Sequence, residues 1–184
     1  NKDAGTIFSL DSTNASVQTL INLNEFNLPS RPVGALVGFE GKFWGVSRNG
    51  GEFGKGTIFN MNPDGTGVAV VYSFANQDGF NPEAGLTLNE GILWGTTTLG
   101  GTSNLGVVFT WDLANETYTK LVDFDSTNGA TPMSPLAVID GKVWGSTMAG
   151  GTNNVGTIFT INPDGTGFST IHEFQFFNGQ NPSN

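Results

Sequence analysis

The chain has 184 residues, enough for one domain with a buried core, and a formal charge of −9 from sixteen acidic and seven basic side chains. That balance argues against nucleic acid, whose phosphates need clustered Lys and Arg, and against an anionic membrane surface. Cysteine is absent, which excludes disulfides, thiolate metal sites and a cysteine nucleophile, and no apolar run approaches the roughly 20 residues of a membrane helix.

Asn, Thr, Ser and Gly are abundant and Lys is scarce, a bias that reads as extracellular or cell-surface. The sequence opens on Asn rather than Met and shows no signal peptide, as expected of a mature or excised product.

The same words return about every 50 residues, the mark of one small unit copied in tandem. Residues 5–23 begin with Gly5-Thr6-Ile7-Phe8 and end in a second β-branched run. They supply only the third and fourth strands of a unit. Between the strands lies Asn14-Ala15-Ser16, an N-glycosylation acceptor triplet.

The first complete unit is 34–74. It carries a Glu40-Gly41 turn, then Trp44-Gly45, a Gly50-Gly51 loop and Gly56-Thr57-Ile58-Phe59. Asn62-Pro63-Asp64-Gly65 is a strong turn sequence, with Pro presetting φ and Gly taking the left-handed position.

The second unit, 84–124, shows the pattern most fully. Gly85-Leu86-Thr87-Leu88 is a short apolar strand. Asn89-Glu90-Gly91 makes a tight hairpin turn, because Gly accepts positive φ cheaply. Ile92 to Thr98 is a second strand containing Trp94-Gly95, and the Gly100-Gly101 loop follows. Gly106 to Asp112 is a third strand around Phe109. Thr117 to Phe124 is a fourth, rich in β-branched and aromatic residues. Its entry turn holds a second acceptor triplet, Asn115-Glu116-Thr117.

The third unit, 134–174, repeats the pattern with Asp140-Gly141, Trp144-Gly145, Gly150-Gly151, Gly156-Thr157-Ile158-Phe159 and Asn162-Pro163-Asp164-Gly165. Residues 175–184 read as a connecting loop through Pro182, in step with Pro32, Pro82 and Pro132.

Nothing in these units has helical periodicity. Four short antiparallel strands in about 50 residues predict an all-β fold, a β-propeller with blades of the kelch size class. The alternative, a β-solenoid, has shorter coils without paired hairpins. Residues 1–184 are then a single repeat array of about three and a half blades.

Strand alternation puts Trp44, Trp94 and Trp144 on one face of their strands. Phe43, Leu93 and Val143 share the other face with Gly45, Gly95 and Gly145. The recurrent Trp is expected to pack between blades, and Phe8, Phe59, Phe109 and Phe159 are structural positions of the repeat. The glycine beside each Trp is expected where a neighbouring blade approaches closely. A sugar-stacking role for the Trp residues is the functional alternative.

Three and a half blades cannot close a ring, and an open sheet edge invites pairing. The expectation is completion by another copy or by the rest of a longer chain. An excerpt of a larger chain or assembly is favoured over a two-fold ring, in which both half-blades would lack their inner strands.

The compound pattern Trp94-Gly95-Thr96-Thr97, Gly100-Gly101 and Gly106-Val107-Val108-Phe109 resembles the bacterial Gloeo-Verruco tandem repeat of choice-of-anchor surface proteins. The resemblance covers essentially the whole chain. It departs in using Trp where Tyr is more usual, and in Val46-Ser47 and Ser146-Thr147 for Thr-Thr. What it implies is a large secreted or surface-attached protein with β-propeller-like repeats. It brings no catalytic residues.

Catalytic constellations are missing from the sequence. The only histidine, His172, aligns by repeat with Tyr72 and Val122, which reads as a packing position. There is no Gly-x-Ser-x-Gly elbow, and the glycine loops lack the Gly-Lys-Ser/Thr ending of a phosphate loop. Asn60-x-Asn62-x-Asp64-Gly65 resembles the start of a calcium loop but has no closing Glu, so it reads as a turn. Neither cofactor nor metal is expected. Carboxylates for glycoside chemistry would come from Glu25, Asp78, Glu83, Asp123 and Asp125, which occupy no common repeat position.

The best place for a ligand is the loop-bearing rim, because variable loops on a rigid scaffold carry function. Its candidate residues are Arg48, Asn49, Asn76, Asp78, Asn81, Asn104, Asp125, Asn128, Asn153 and Asn154. They suit neutral sugars and equally suit ordinary solvated loops. The sequence therefore points to a non-enzymatic extracellular propeller segment with a structural or adhesive role. A lectin-like glycan-binding module is the second reading and a carbohydrate-active enzyme the third.

Overall fold

The computed structural model describes residues 5–11, 13, 15–23 and 28–176. Within them the chain is all-β apart from one 3-10 turn at Asn76–Asp78. The first sheet holds β1 (Thr6–Leu10) and β2 (Val17–Asn22). The second holds β3 (Pro29–Phe39), β4 (Lys42–Gly50), β5 (Thr57–Met61) and β6 (Ala69–Ser73). The third holds β7 (Thr87–Asn89), β8 (Ile92–Thr97), β9 (Val107–Asp112) and β10 (Thr117–Asp123). The fourth holds β11 (Ala137–Ile139), β12 (Lys142–Ser146), β13 (Thr157–Ile161) and β14 (Ser169–Glu173).

Each sheet is an antiparallel meander in chain order, the form of a propeller blade. The first strands of the last two blades lie side by side, and Thr87 Oγ1 donates to the Leu136 carbonyl. Among the described residues the sheets do not close into a ring. The fold is thus a β-propeller array of one half-blade and three four-stranded blades.

Local chemistry explains the hairpins. Glu40, Glu90 and Asp140 have φ of 46°, 50° and 50°, followed by Gly41, Gly91 and Gly141 at 74°, 78° and 71°. Two successive left-handed residues make the turn whose twist matches antiparallel strands. A Cβ built on Gly91 meets nothing within 4 Å, so dihedral freedom alone requires glycine there.

The core lies between blades. Trp44, Val46, Ile58 and Phe74 of the first complete blade cluster with Leu86, Leu93, Phe109 and Trp111 of the next. Trp94, Val108, Val122 and Phe124 cluster with Leu136, Val143, Phe159 and Ile161 in the same way. Ile7 and Leu23 of the half-blade meet Phe59 and Met61. Each blade therefore presents a Trp face forward along the chain and a Phe face backward. Each fully buried side chain of this size contributes about 1.5–3 kcal/mol.

Two sequence expectations are corrected. The glycine beside each Trp does not admit a neighbouring blade. Gly95 pairs with Phe109 across its own sheet, and a Cβ there would lie 2.4 Å from the Phe109 ring. The glycine makes room for its own blade's Phe, because directly paired residues share a face. The loop expected to begin at Arg48 is also still strand at that point. The eleven-residue β3 offers partners out to Pro29, so β4 runs to Gly50 and contains Arg48 and Asn49. In the later blades the corresponding contact shrinks to the isolated bridges Phe80↔Leu99 and Ala130↔Ala149.

Candidate functional site

The rim is built by joining two kinds of loop. The loop after the second strand donates to the segment leading into its own blade: Gly101 N–H to Asn76 O at 2.9 Å, and Gly151 N–H to Ser126 O at 2.8 Å. That segment in turn reaches back to the preceding blade, with Asn81 N–H on Lys55 O at 3.0 Å and Thr131 N–H on Leu105 O at 2.8 Å. The main chain thus stitches consecutive blades along this edge.

Several of the candidate polar side chains instead close the loops in which they sit. Asn104 and Asn154 adopt φ of 57° and 54°, and their Oδ1 atoms accept from Gly100 N–H at 3.0 Å and Gly150 N–H at 2.9 Å. They close their own glycine loops. Asp125 Oδ1 accepts from Thr127 Oγ1 at 2.7 Å and from the N–H groups of Thr127 and Asn128 at 3.0 Å. The Thr127 hydroxyl and the backbone donors hold its carboxyl below the usual range. Asn128 accepts from Asp125 N–H and donates to Asp123 O, both at 3.0 Å.

Asn76 takes a hydrogen bond from Lys55 Nζ, which also lies 4.4 Å from the centre of the Phe80 ring. The Asp78 carbonyl accepts from the Tyr118 hydroxyl. Asn49 pairs with Ser30 in the sheet. Arg48 Nε lies 2.9 Å from Glu83 Oε1, an ion pair linking one blade to the entry of the next. Asn153 is exposed at its loop. A shallow polar cleft on the rim is lined by Ser126, Thr127, Gly151, Thr152, Asn154 and Glu173.

The candidate carboxylates serve separate partners. Glu83 binds Arg48, Asp125 its own turn, and Asp123 a clamp the sequence did not reveal. In that clamp Lys120 Nζ lies 2.9 Å from Asp123 Oδ2, and Thr102 N–H donates to Oδ1 at 2.8 Å. Burial pushes the Asp123 carboxyl up, but the bonds from Lys120 and Thr102 outweigh it and hold it low. The equivalent positions do the same: Glu173 accepts from Thr152 N–H at 2.8 Å and Ser73 from Glu52 N–H at 3.2 Å. A repeat comparison of Ser73, Asp123 and Glu173 shares only acceptor chemistry, a signal too weak to stand out. Glu25 lies outside the described residues.

The calcium-like stretch is a turn. Asp64 Oδ1 accepts from Thr66 Oγ1 at 2.7 Å and Thr66 N–H at 2.9 Å, which lowers its pKa; Asp164 and Thr166 repeat the arrangement. Among the described residues no three His, Asp or Glu side chains gather as a metal shell, and no helix is long and apolar enough to cross a membrane. Asn115 is exposed in the β9–β10 turn, its Nδ2 donating to Asp112 Oδ2 at 2.7 Å. Asn14 lies outside the described residues.

The array leaves exposed apolar side chains at both of its ends. Trp94 is 1% exposed between blades, whereas Trp144, at the same position of the last blade, is only half-buried. Around it Ile139, Met148 and Phe174 are exposed, and His172 stands edge-on to Phe174 at 4.9 Å. At the other end Phe8, Leu10 and Val17 of the half-blade are exposed. Phe8 is 60% exposed where its repeat equivalent Phe59 is 0%.

The family model of the Gloeobacter/Verrucomicrobia repeat matches residues 1–184. No curated protein matches the sequence. Among solved structures, a nidogen/laminin complex aligns with a TM-score of 0.61 at 13% identity, covering 94% of this chain and 57% of that one. TolB from Acinetobacter baumannii aligns at 0.56 and 13% identity, covering 90% and 37%. A putative TolB from Agrobacterium tumefaciens aligns at 0.60 and 10% identity, covering 93% and 56%. These likenesses show the fold alone. The chain spans 37–57% of the length of the three.

Proposed function

The chain belongs to the Gloeobacter/Verrucomicrobia repeat family, and we propose that it is a non-enzymatic extracellular or cell-surface propeller array whose role is structural or adhesive. Further blades, from another copy or from the rest of a longer chain, cover its open ends. The observation that carries this reading is the complementarity of those ends. The forward face around Trp144, Ile158 and Phe174 repeats the positions of Trp94, Val108 and Phe124, which are buried against a following blade. The backward face of Phe8 repeats Phe59 and Phe159, which are buried against a preceding one. Large contiguous apolar surface of this kind marks an interaction site.

Head-to-tail contact of this type joins two different patches and builds rings or filaments rather than an isologous pair. The composition, poor in Lys and rich in Asn and Thr, supports a location outside the cell. The rim gives less support to the lectin-like reading, since Asp125, Asn128, Asn104 and Asn154 already bond within their own turns.

Solution mass measured across a concentration series tests the proposal. Association that grows with concentration and is lost in both Phe8→Asp and Phe174→Asp supports it. A well-folded monomer at every concentration overturns the open-face argument. Saturable, competable signals on a glycan array would favour the lectin-like reading.

A further inference from the structure

The half-blade carries a second unfilled surface, adjoining the backward end face at Phe8. Strands β5, β9 and β13 each have a partner on both sides, β4, β8 and β12 being the inner ones. Their equivalent β1 pairs with β2 alone among the described residues. Beside its free edge runs an apolar groove lined by Ile7, Phe8, Leu20, Pro32, Leu36 and Phe43.

The repeat says what fits there. In the next blade Phe43, Trp44, Gly45, Val46 and Ser47 lie opposite Met61, Asn60, Phe59, Ile58 and Thr57. The half-blade equivalents of the latter are Leu10, Ser9, Phe8, Ile7 and Thr6. A strand in this register places a Trp opposite Ser9 and a Gly opposite Phe8. In the two later interfaces that Trp packs in one cluster with Leu86 and Leu93, or with Leu136 and Val143. The corresponding residues of the first complete blade are Leu36 and Phe43, which line the groove.

We infer that the β1 edge and this groove form a strand-addition site for an inner hairpin of the same repeat, of pattern apolar-Trp-Gly-x-Ser/Thr. The Trp fills the groove, and the edge of β1 supplies main-chain hydrogen bonds. The closing Ser or Thr meets Thr6 as Ser47 meets Thr57 at 2.7 Å and Thr147 meets Thr157 at 2.9 Å. The three Trp-Gly strands of this chain are already paired within their own blades, so the donor is a further unit. The inference rests on the reading of the chain as a repeat array but uses the edge of a sheet, sharing Phe8 with the backward end face.

The glycine requirement separates a specific site from general stickiness. A Cβ at Gly45 would lie 2.8 Å from the Phe59 ring, and one at Gly145 2.3 Å from the Phe159 ring. The donor's glycine meets Phe8 in the same way.

The test titrates a labelled peptide of residues 135–148, which contains Trp144-Gly145, into the chain carrying Phe174→Asp to suppress end-face association. Saturable one-to-one binding is expected, with amides of residues 6–10 gaining protection from hydrogen exchange. Peptides with Trp144→Ala or Gly145→Val bind at least about tenfold more weakly. The deciding arm uses Phe8→Gly in the protein, at a side chain exposed enough to be dispensable to the fold. That protein binds the Gly145→Val peptide as well as the parent peptide. Absent saturable binding, binding indifferent to Gly145→Val, or unchanged exchange at residues 6–10 overturns the inference. Because end-face association is read by solution mass and strand addition by the peptide, the two proposals fail separately.

Discussion

Tyr72 and Tyr118 stack face to face across the first complete blade boundary, with ring centroids 4.2 Å apart and planes 3° from parallel. Tyr72 comes from β6 and Tyr118 from β10, the outer strands of adjacent blades. Trp111 lies 6.1 Å from Tyr72 and Phe109 5.5 Å from Tyr118, so the pair forms the outer end of the interblade core. Such pairs contribute about 0.5–1.5 kcal/mol beyond their buried area.

These are the chain's two tyrosines, which makes the interface directly readable by alkaline titration. Burial first, then the Asp78 carboxylate, pushes the Tyr72 hydroxyl up; burial first, then the charges of Tyr72, Asp78 and Asp123, does so for Tyr118. A folded pKa above the unfolded value of about 10 stabilises the fold fully below that pH and less as pH rises through it. Tyrosinate absorbance is expected to appear together with unfolding at a pH above 10. A normal titration in a protein still folded by circular dichroism would contradict this.

The Asp123 clamp predicts the opposite limb. Its carboxyl is held below the ordinary aspartate value of about 3.9, so the stabilisation is present above about pH 4 and lost as pH falls through the folded value. Urea midpoints measured from neutral pH downward should fall less steeply for Asp123→Asn than for the parent. The variant should also be less stable at pH 7. Parallel curves would show that the clamp contributes nothing to the acid limb.

The hairpin and Trp-adjacent glycines should respond differently to a side chain. Gly95→Ala drives a Cβ into the Phe109 ring and is expected to cost about 1–3 kcal/mol. Gly91→Asn enters open space at a φ that Asn tolerates, with an expected cost within about 1 kcal/mol. Chemical denaturation of both variants gives the comparison, and equal losses would refute the assignment of the two causes.

Thr131 has φ of 55°, an unfavourable conformation for a β-branched residue. Its N–H bonds Leu105 O and its carbonyl accepts from Met148 N–H at 3.1 Å, so the backbone is held in place. The repeat equivalent is Asn81, at φ 54°. Thr131→Asn should therefore raise stability by up to about 1 kcal/mol, read as a higher melting temperature. An unchanged or lower value would show that the Thr side chain compensates for its backbone.

The blade pattern was legible because its causes are local. Acidic-Gly pairs specify hairpin turns, and the apolar run Val107-Val108-Phe109 specifies a strand buried on both faces. The rim was less legible. Asn104 and Asn154 looked like free recognition groups, but a side chain that closes its own loop has the same composition as one that awaits a ligand. The glycine beside each Trp was assigned to a neighbouring blade because spacing along a strand does not say whose ring lies above it. The extension of β4 through Asn49 depended on the length of its partner β3, which no local signal in β4 records.

Period, strand alternation and turn chemistry determined by themselves that this chain builds four-stranded blades in series, since each is fixed within one copied unit. Burial is a property of neighbours, and only the tertiary structure decided it. Tyr72 and His172 hold the same place in their blades, yet one stacks on the next blade and the other is exposed. Phe59 and Phe8 share a motif and differ in the same way. Equivalent positions thus give core in the middle of the array and exposed apolar surface at its ends, because whether an apolar face is removed from water depends on what packs against it.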